Sequence, residues 1–349
     1  MTVVSLPAEQ PRGDGATTTS AGTSWQGVGW SRVRVADGVE ARTLRELVDG
    51  RARLDALGVD EAWGLAPATG RRTVVAGIER RPPWGPSLVR ATTTERERDR
   101  CFEDAVGRIA ANAPEAALAL GGGLDAAAVL LAWREQTGAW PTVLTLRTGD
   151  RDYDEVDAAG SLCDELGAPL EVIDVSVAEL QGLLASAAIA AQCPLYDLHP
   201  VGRLALATAA RDRGHTTLVT GDGADAAFRS QPDYDYVPVV AALTEAAGLR
   251  LRSPFGDDAL LGAVLGAGPD PHKTWLRGYL RRRGAPSGLV SRPKRPRGLG
   301  AGGLRPSPER LPSLAARLGR PLRLRTERER ISWGTLDLVV RWLEPEDPT

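Results

Sequence analysis

The chain has 349 residues, a formal net charge of −2, and 42% hydrophobic against 25% charged residues, which is enough to bury a sizeable core. There is no global basic field to drive nonspecific nucleic-acid binding, and no run of roughly 18 apolar residues to cross a membrane. The opening MTVVSLPAEQPRGDG lacks the basic-then-apolar layout of a secretory signal, and Cys101, Cys163 and Cys193 include no C-x-x-C pair for zinc or redox chemistry; a reducing cytoplasm is the expected location.

Residues 1–25 are rich in Thr, Ser, Gly and Ala without apolar periodicity and read as a disordered leader. Residues 26–92 read as a small α+β domain. Within it VGWSRVRVA and RRTVVAGIERR alternate as half-buried strands do, and residues 43–57 are helix-like. At 91–104, ATTTERERDRCFED offers an N-cap followed by charge at helical spacing, and opens a second domain over 93–349.

From Ala116 strands and helices alternate. Strands are expected at 116–120, 142–147, 170–175 and 216–221, and helices at 124–136, 154–166, 177–190 and 200–213. Continuous apolar strands between helices predict an α/β fold with a doubly wound parallel sheet, buried on both faces. Beyond Val237 the pattern turns helical, near 238–247, 257–266, 272–283 and 331–343.

Ligands of such sheets sit at the carboxyl ends of the strands. There the first strand runs into Gly121, Gly122 and Gly123, then Asp125, and the last into GDGAD at 221–225, which carries Asp222 and Asp225. Glycines let backbone N–H groups approach a ligand, and a helix N-terminus adds its positive end, so an anion such as a nucleotide phosphate fits the first loop; a tight strand-to-helix turn needs glycine for steric reasons as well. Carboxylates on two strand ends suit a magnesium ion shared with phosphate oxygens, although each is also a reasonable helix cap.

Of 43 basic residues only Lys273 and Lys294 are lysines. Where arginine is so strongly preferred, a surviving lysine is a candidate for work that a planar, permanently charged guanidinium cannot do. Arg281, Arg282, Arg283, Arg292, Lys294, Arg295 and Arg297 form a basic run, readable as a solvated patch, as a loop closing on phosphates or an acidic peptide, or as an RNA contact. RNA is disfavoured by the net charge and the lack of an aromatic stacking platform. His199, His215 and His272 lack metal-ligand spacing.

These segments resemble the synthetase domain of the asparagine synthetase family, which includes β-lactam synthetases and lasso-peptide macrolactam cyclases and has an adenine nucleotide alpha hydrolase-like fold. GGGLDAA (121–127) is similar to the family's pyrophosphate loop SGGLDSS, and GDGADA (221–226) to its GEGADE. SPFGD (253–257), HKTWLRGYL (272–280) and VSRPKRPRGLGAGG (290–303) follow in the family's order as its PFLD segment, its K-x-x-LR helix and its catalytic-lysine loop. Upstream, residues 71–90 look like the last strands of the family's glutaminase domain. That domain uses an N-terminal cysteine, and position 2 is Thr2, so the resemblance implies a truncated remnant without glutaminase activity.

The resemblance implies ATP and Mg2+ as cofactors, adenylation of a carboxylate, and displacement of AMP by an amine. Mg2+ would sit on Asp125 and Asp225, pyrophosphate at Gly121, Gly122 and Gly123, and adenine near Leu120, Leu146, Thr220 and Gly221. Lys294 would stabilise charge at the acyl carbon, and Asp222, in the place of a family glutamate, would help deprotonate the amine. The expected substrate is a small molecule or peptide bearing both groups, as in macrolactam formation during peptide natural-product biosynthesis. A precursor peptide or partner biosynthetic enzyme is the expected associate, with no nucleic acid. Family serines are replaced by Gly121, Ala126 and Ala127, and a family glutamate by Ala226. These losses define the alternative, a catalytically degenerate pseudoenzyme acting as a scaffold partner.

Overall fold

The computed structural model describes residues 33–35, 39–41, 43–66, 72–80, 93–150, 153–228, 237–291 and 309–344. The expected leader at 1–25, and Lys294 with Arg292, Arg295 and Arg297, lie outside the described residues.

The N-terminal segment holds β1 (Val33–Val35), β2 (Glu40–Ala41), α1 (Ala56–Ala62) and β3 (Ile78–Arg80), with the strands in the antiparallel order β2-β1-β3. The helix expected over 43–57 is not formed. A single 3-10 turn at Leu44–Leu47 is capped by Thr43, Gly50 takes a left-handed φ of 66°, and Asp55 caps a separate helix beginning at Ala56. Two local caps and a glycine break what looks like one period.

The remaining elements are α2 (Glu95–Asn112), β4 (Ala117–Ala119), α3 (Leu124–Thr137), β5 (Thr142–Arg147), α4 (Val156–Leu166), β6 (Glu171–Asp174), α5 (Val177–Ala191), α6 (His199–Asp212), β7 (Thr217–Val219), α7 (Ala224–Phe228), α8 (Val237–Ala246), β8 (Arg250–Arg252), α9 (Asp258–Gly266), α10 (Thr274–Arg282), α11 (Ser287–Ser291), α12 (Leu311–Leu318) and α13 (Glu327–Leu343). Helices α2, α5 and α13 begin in capping boxes, Thr94 with Glu97, Ser176 with Glu179 and Thr326 with Glu329. Each box satisfies amides that a helix start otherwise leaves unpaired.

Five strands form one parallel sheet in the order β6-β5-β4-β7-β8. Successive side chains of a strand point to opposite faces, and here they enter two different cores. Ala117, Ala119, Leu144 and Leu218 join a cluster with α5, α6 and α13, whereas Leu118, Val143 and Val219 join one with α2, α3, α9 and α10. The sheet is therefore covered by helices on both sides. Among the described residues no helix is long and apolar enough to cross a membrane.

The strand order fixes where a ligand can enter. From β4 the chain steps outward through β5 to β6, then returns to the other side of β4 for β7 and β8. The connections after β4 and β7 therefore lead off in opposite directions at the reversal point, the place where such sheets bind ligands in a crevice at the strand ends.

Candidate active site

The loop Gly121–Gly123 ends β4 and leads into α3, whose N-cap is Gly123 (φ −93°, ψ 160°) with no side-chain cap. The Gly123 amide turns back on the Gly121 carbonyl. A helix start without a side-chain acceptor presents its N–H groups and positive dipole end to the crevice.

Gly221 brings the second loop against this one. A Cβ on Gly221 would stand 2.7 Å from the Ala126 nitrogen and 2.8 Å from Asp125 backbone and Cβ, closer than real atoms pack, so glycine is required for the close approach. The Thr220 hydroxyl accepts a hydrogen bond from the Asp222 amide (3.3 Å), and the Ser253 hydroxyl donates to the Asp222 carbonyl (2.6 Å).

Asp125 and Asp225 lie in the first turns of α3 and α7 and converge on the Lys273 ammonium. Nζ donates to Asp125 Oδ1 at 2.7 Å and Oδ2 at 2.6 Å, and stands 2.7 Å from Asp225 Oδ1. Lys273 is the N-cap of α10 with left-handed φ 53° and ψ 43°, unfavourable for a residue with a side chain. Its amide donates to the Asp270 carbonyl, and the Asp270 carboxylate accepts from the Trp275 amide. Burial pushes the ammonium pKa down, but the charges of Asp125 and Asp225 and their hydrogen bonds outweigh it, leaving it above the ordinary lysine value.

The two carboxylates thus meet at a point where a cation sits, so the residues present fit a divalent ion by donor type and by convergence. Among the described residues no group of three or more His, Cys, Asp or Glu could hold a metal. Any ion here would rely on two carboxylates together with ligands such as phosphate oxygens.

Asp222 turns toward α6, where Arg203 Nη2 donates to Oδ1 at 3.2 Å; Asp222 Oδ2 is buried and has no hydrogen-bond partner among the described residues. One turn earlier on α6, His199 Nδ1 lies 3.0 Å from the Tyr153 hydroxyl, and the His199 amide donates to Asp197 Oδ1. Between them, a Cβ on Gly202 would stand 3.0 Å from the Tyr153 hydroxyl and 3.1 Å from Leu146 Cδ2, so this face of α6 packs directly on the end of β5. Neither Arg203 nor Tyr153 stands out in the sequence. The only signal on α6 is the i, i+4 spacing of His199 and Arg203.

The nucleobase contacts expected at Leu120 and Thr220 meet a constraint. The Leu120 side chain is buried in the sheet core, and the Leu120 and Thr220 amides already donate to the Leu144 and Arg252 carbonyls. Leu146 is half-buried near the end of β5, against Gly202 of α6.

Part of the basic run has a structural use. Arg282 bridges Glu95 and Asp99, and Arg283 bridges Glu103 and Glu135 while stacking 3.6 Å from the Tyr279 ring. These arginines clamp α10 to α2 and α3, away from the crevice.

Residues 97–239 match the family model for asparagine synthase, a span running from α2 to the start of α8. NMN synthetase from Francisella tularensis shares 12% identity with this chain, covering 74% of it and 98% of that structure, at a TM-score of 0.39. No curated protein matches the chain.

Proposed function

We propose that this chain is an ATP-dependent amide-bond-forming ligase of the asparagine synthetase type. The carrying observation is the convergence of the uncapped glycine loop at the α3 N-terminus with Asp125 and Asp225 at the reversal point of the sheet. This crevice lies within the segment matching asparagine synthase, with Lys273 added from α10.

In this reading a substrate carboxylate attacks the α-phosphorus of ATP, the bond to the β-phosphate oxygen breaks, and pyrophosphate leaves toward Gly121–Gly123. The α3 amides supply its hydrogen bonds. An amine then attacks the acyl carbon, loses a proton, and expels AMP. Asp222, in the loop after β7, is the carboxylate we assign to take that proton; its Oδ1 is paired with Arg203. A magnesium ion on Asp125 and Asp225 would neutralise phosphate charge. Lys294 is proposed to steady the charge developing at the acyl carbon.

The substrate class we favour is a peptide or small molecule carrying acid and amine, as in macrolactam closure, with the enzyme in the cytoplasm and without its own glutaminase. The test uses hydroxylamine as a surrogate amine. With magnesium, ATP and pooled amino acids or acidic peptides, the wild-type chain should release AMP and form hydroxamate, and Asp125→Ala should lose both. ATP binding by calorimetry, likewise lost in Asp125→Ala, separates a wrong substrate pool from a wrong site. The scaffold reading is favoured by the lost family serines, and absence of binding at millimolar Mg-ATP would decide for it.

A further inference from the structure

We infer that the Lys273 ammonium and a divalent cation are alternative occupants of one position between Asp125 and Asp225, so that the chain carries its own counterion for the pair and an ion binds only when Nζ withdraws. This does not depend on which bond the enzyme makes. It concerns only how the carboxylates are neutralised.

The geometry argues for exclusion. Nζ takes both oxygens of Asp125 and one of Asp225 at 2.6–2.7 Å, and the lysine side chain is 7% exposed. A divalent ion bound by both residues must take oxygens that the ammonium now holds, and an ion and an ammonium cannot share them without strong repulsion.

The backbone argues that the placement is held by structure. Lys273 adopts a left-handed conformation that is strained for a residue with a side chain, and such strain persists where surroundings over-determine it. Asp270 fixes both ends of this turn, through the Lys273 and Trp275 amides, and its own amide donates to the Phe228 carbonyl at the end of α7. The stem of Lys273 is thus tied to the helix that carries Asp225. Withdrawal of Nζ then requires side-chain rotation, with no shift of α10.

The same arrangement gives the lysine a reason to be lysine. A guanidinium is larger and planar, whereas three donors on a compact ammonium match three carboxylate oxygens around one point.

The experiment measures ion binding without nucleotide on the full chain. Mn2+ is titrated and the free ion followed by electron paramagnetic resonance. Wild type should bind no tighter than about millimolar, and Lys273→Met should gain at least tenfold with one ion per chain. The gain should vanish when Asp125→Asn is added to Lys273→Met. Equal affinity in wild type and Lys273→Met, or a gain that survives Asp125→Asn, overturns the inference.

Should Lys273→Met fail to fold, the wild type decides alone. Only two lysines exist, Lys273 and Lys294, so the ammonium of a paired, buried Lys273 is directly identifiable by 15N NMR in lysine-labelled protein. During a Mg2+ titration its signal should persist until ion binding begins and then change in step with it. An ion bound below about 0.1 mM with the Lys273 signal unaltered overturns the inference.

Discussion

At the scale of single residues, the replaced family serines are not equivalent. Ala127 is fully buried in the core beneath α3, so a hydroxyl there would face packed side chains, whereas Ala126 is half-buried at the crevice beside Gly221. Under the proposed function, the loss that would bear on phosphate binding is concentrated at Gly121 and Ala126, where a hydrogen bond to a charged group would contribute about 1.5–3 kcal/mol. A second residue carries a pH signature. Burial pushes the Asp197 carboxyl up to about 6, against the pull of the His199 amide and the Arg328 charge. The protonated form is favoured on folding, so the stabilisation it gives is complete below the unfolded value of about 4 and is lost as pH rises through about 6. Asp197→Asn keeps an oxygen for the His199 amide and cannot ionise. Denaturation at a series of pH values should show the variant gaining on wild type by up to about 3 kcal/mol between pH 4 and 7, with little difference below pH 4. Parallel profiles would refute the assignment.

Among elements, the α10–α2 contact is the one on which the site most depends, because α10 delivers Lys273. Asp99 is its hub, accepting from Trp275 Nε1 at 2.8 Å and from Arg282 at 2.7 and 2.9 Å. Beneath it Phe102, Trp275, Tyr279 and Phe255 pack as a cluster, with Phe102 5.1 Å from Tyr279 and 5.4 Å from Phe255. Asp99→Ala would leave the buried Trp275 Nε1 without its acceptor and strip Arg282 of one of its two carboxylates, and should cost about 2–3 kcal/mol in urea unfolding. It should also weaken ATP binding, whereas Arg281→Ala next to the hub should do neither. Elements differed in how plainly the sequence announced them. Strands β4, β5 and β7 were legible because apolar residues run on continuously through the buried middle of the sheet, and β6, an edge strand with exposed Glu171 and Asp174, because Val172 and Ile173 are apolar between flanking Leu170 and Val175. Strand β8 was not, because Arg250 and Arg252 flank a single buried Leu251 at the sheet edge and read as a loop. The strand-end placement of the glycine loop, Asp125 and Asp225 was legible. That Lys273 lies between those carboxylates is a contact across 148 residues, which no local pattern encodes.

For the molecule as a whole, the question is whether the N-terminal segment is a separate unit. Its apolar side chains Leu44, Val59, Trp63, Val75 and Ile78 belong to the same buried cluster as Leu180 and Leu184 of α5 and Ile331, Trp333 and Leu336 of α13. Trp63 meets Trp333 edge-on at 5.0 Å, and Arg328 donates to the Trp63 carbonyl at 2.7 Å. The Ala52 amide and carbonyl are both satisfied from the C-terminal helices, by Glu344 at 2.6 Å and Arg317 at 2.7 Å, and the Leu44 amide donates to Gln192 just past α5. Backbone groups paired across so many contacts, over a continuous core, cannot open without exposing α13, and α13 in turn packs on α5 behind the sheet. Unfolding should therefore be cooperative. Calorimetry is expected to show one transition. Trp63→Ala removes a large buried side chain at a cost of about 3–5 kcal/mol, and should lower that single transition by roughly 4–7 °C, although the residue belongs to the N-terminal segment. If the segment were an appendage, Trp63→Ala would instead release a small early transition and leave the main one, which reports the parallel sheet and its helices, where it was.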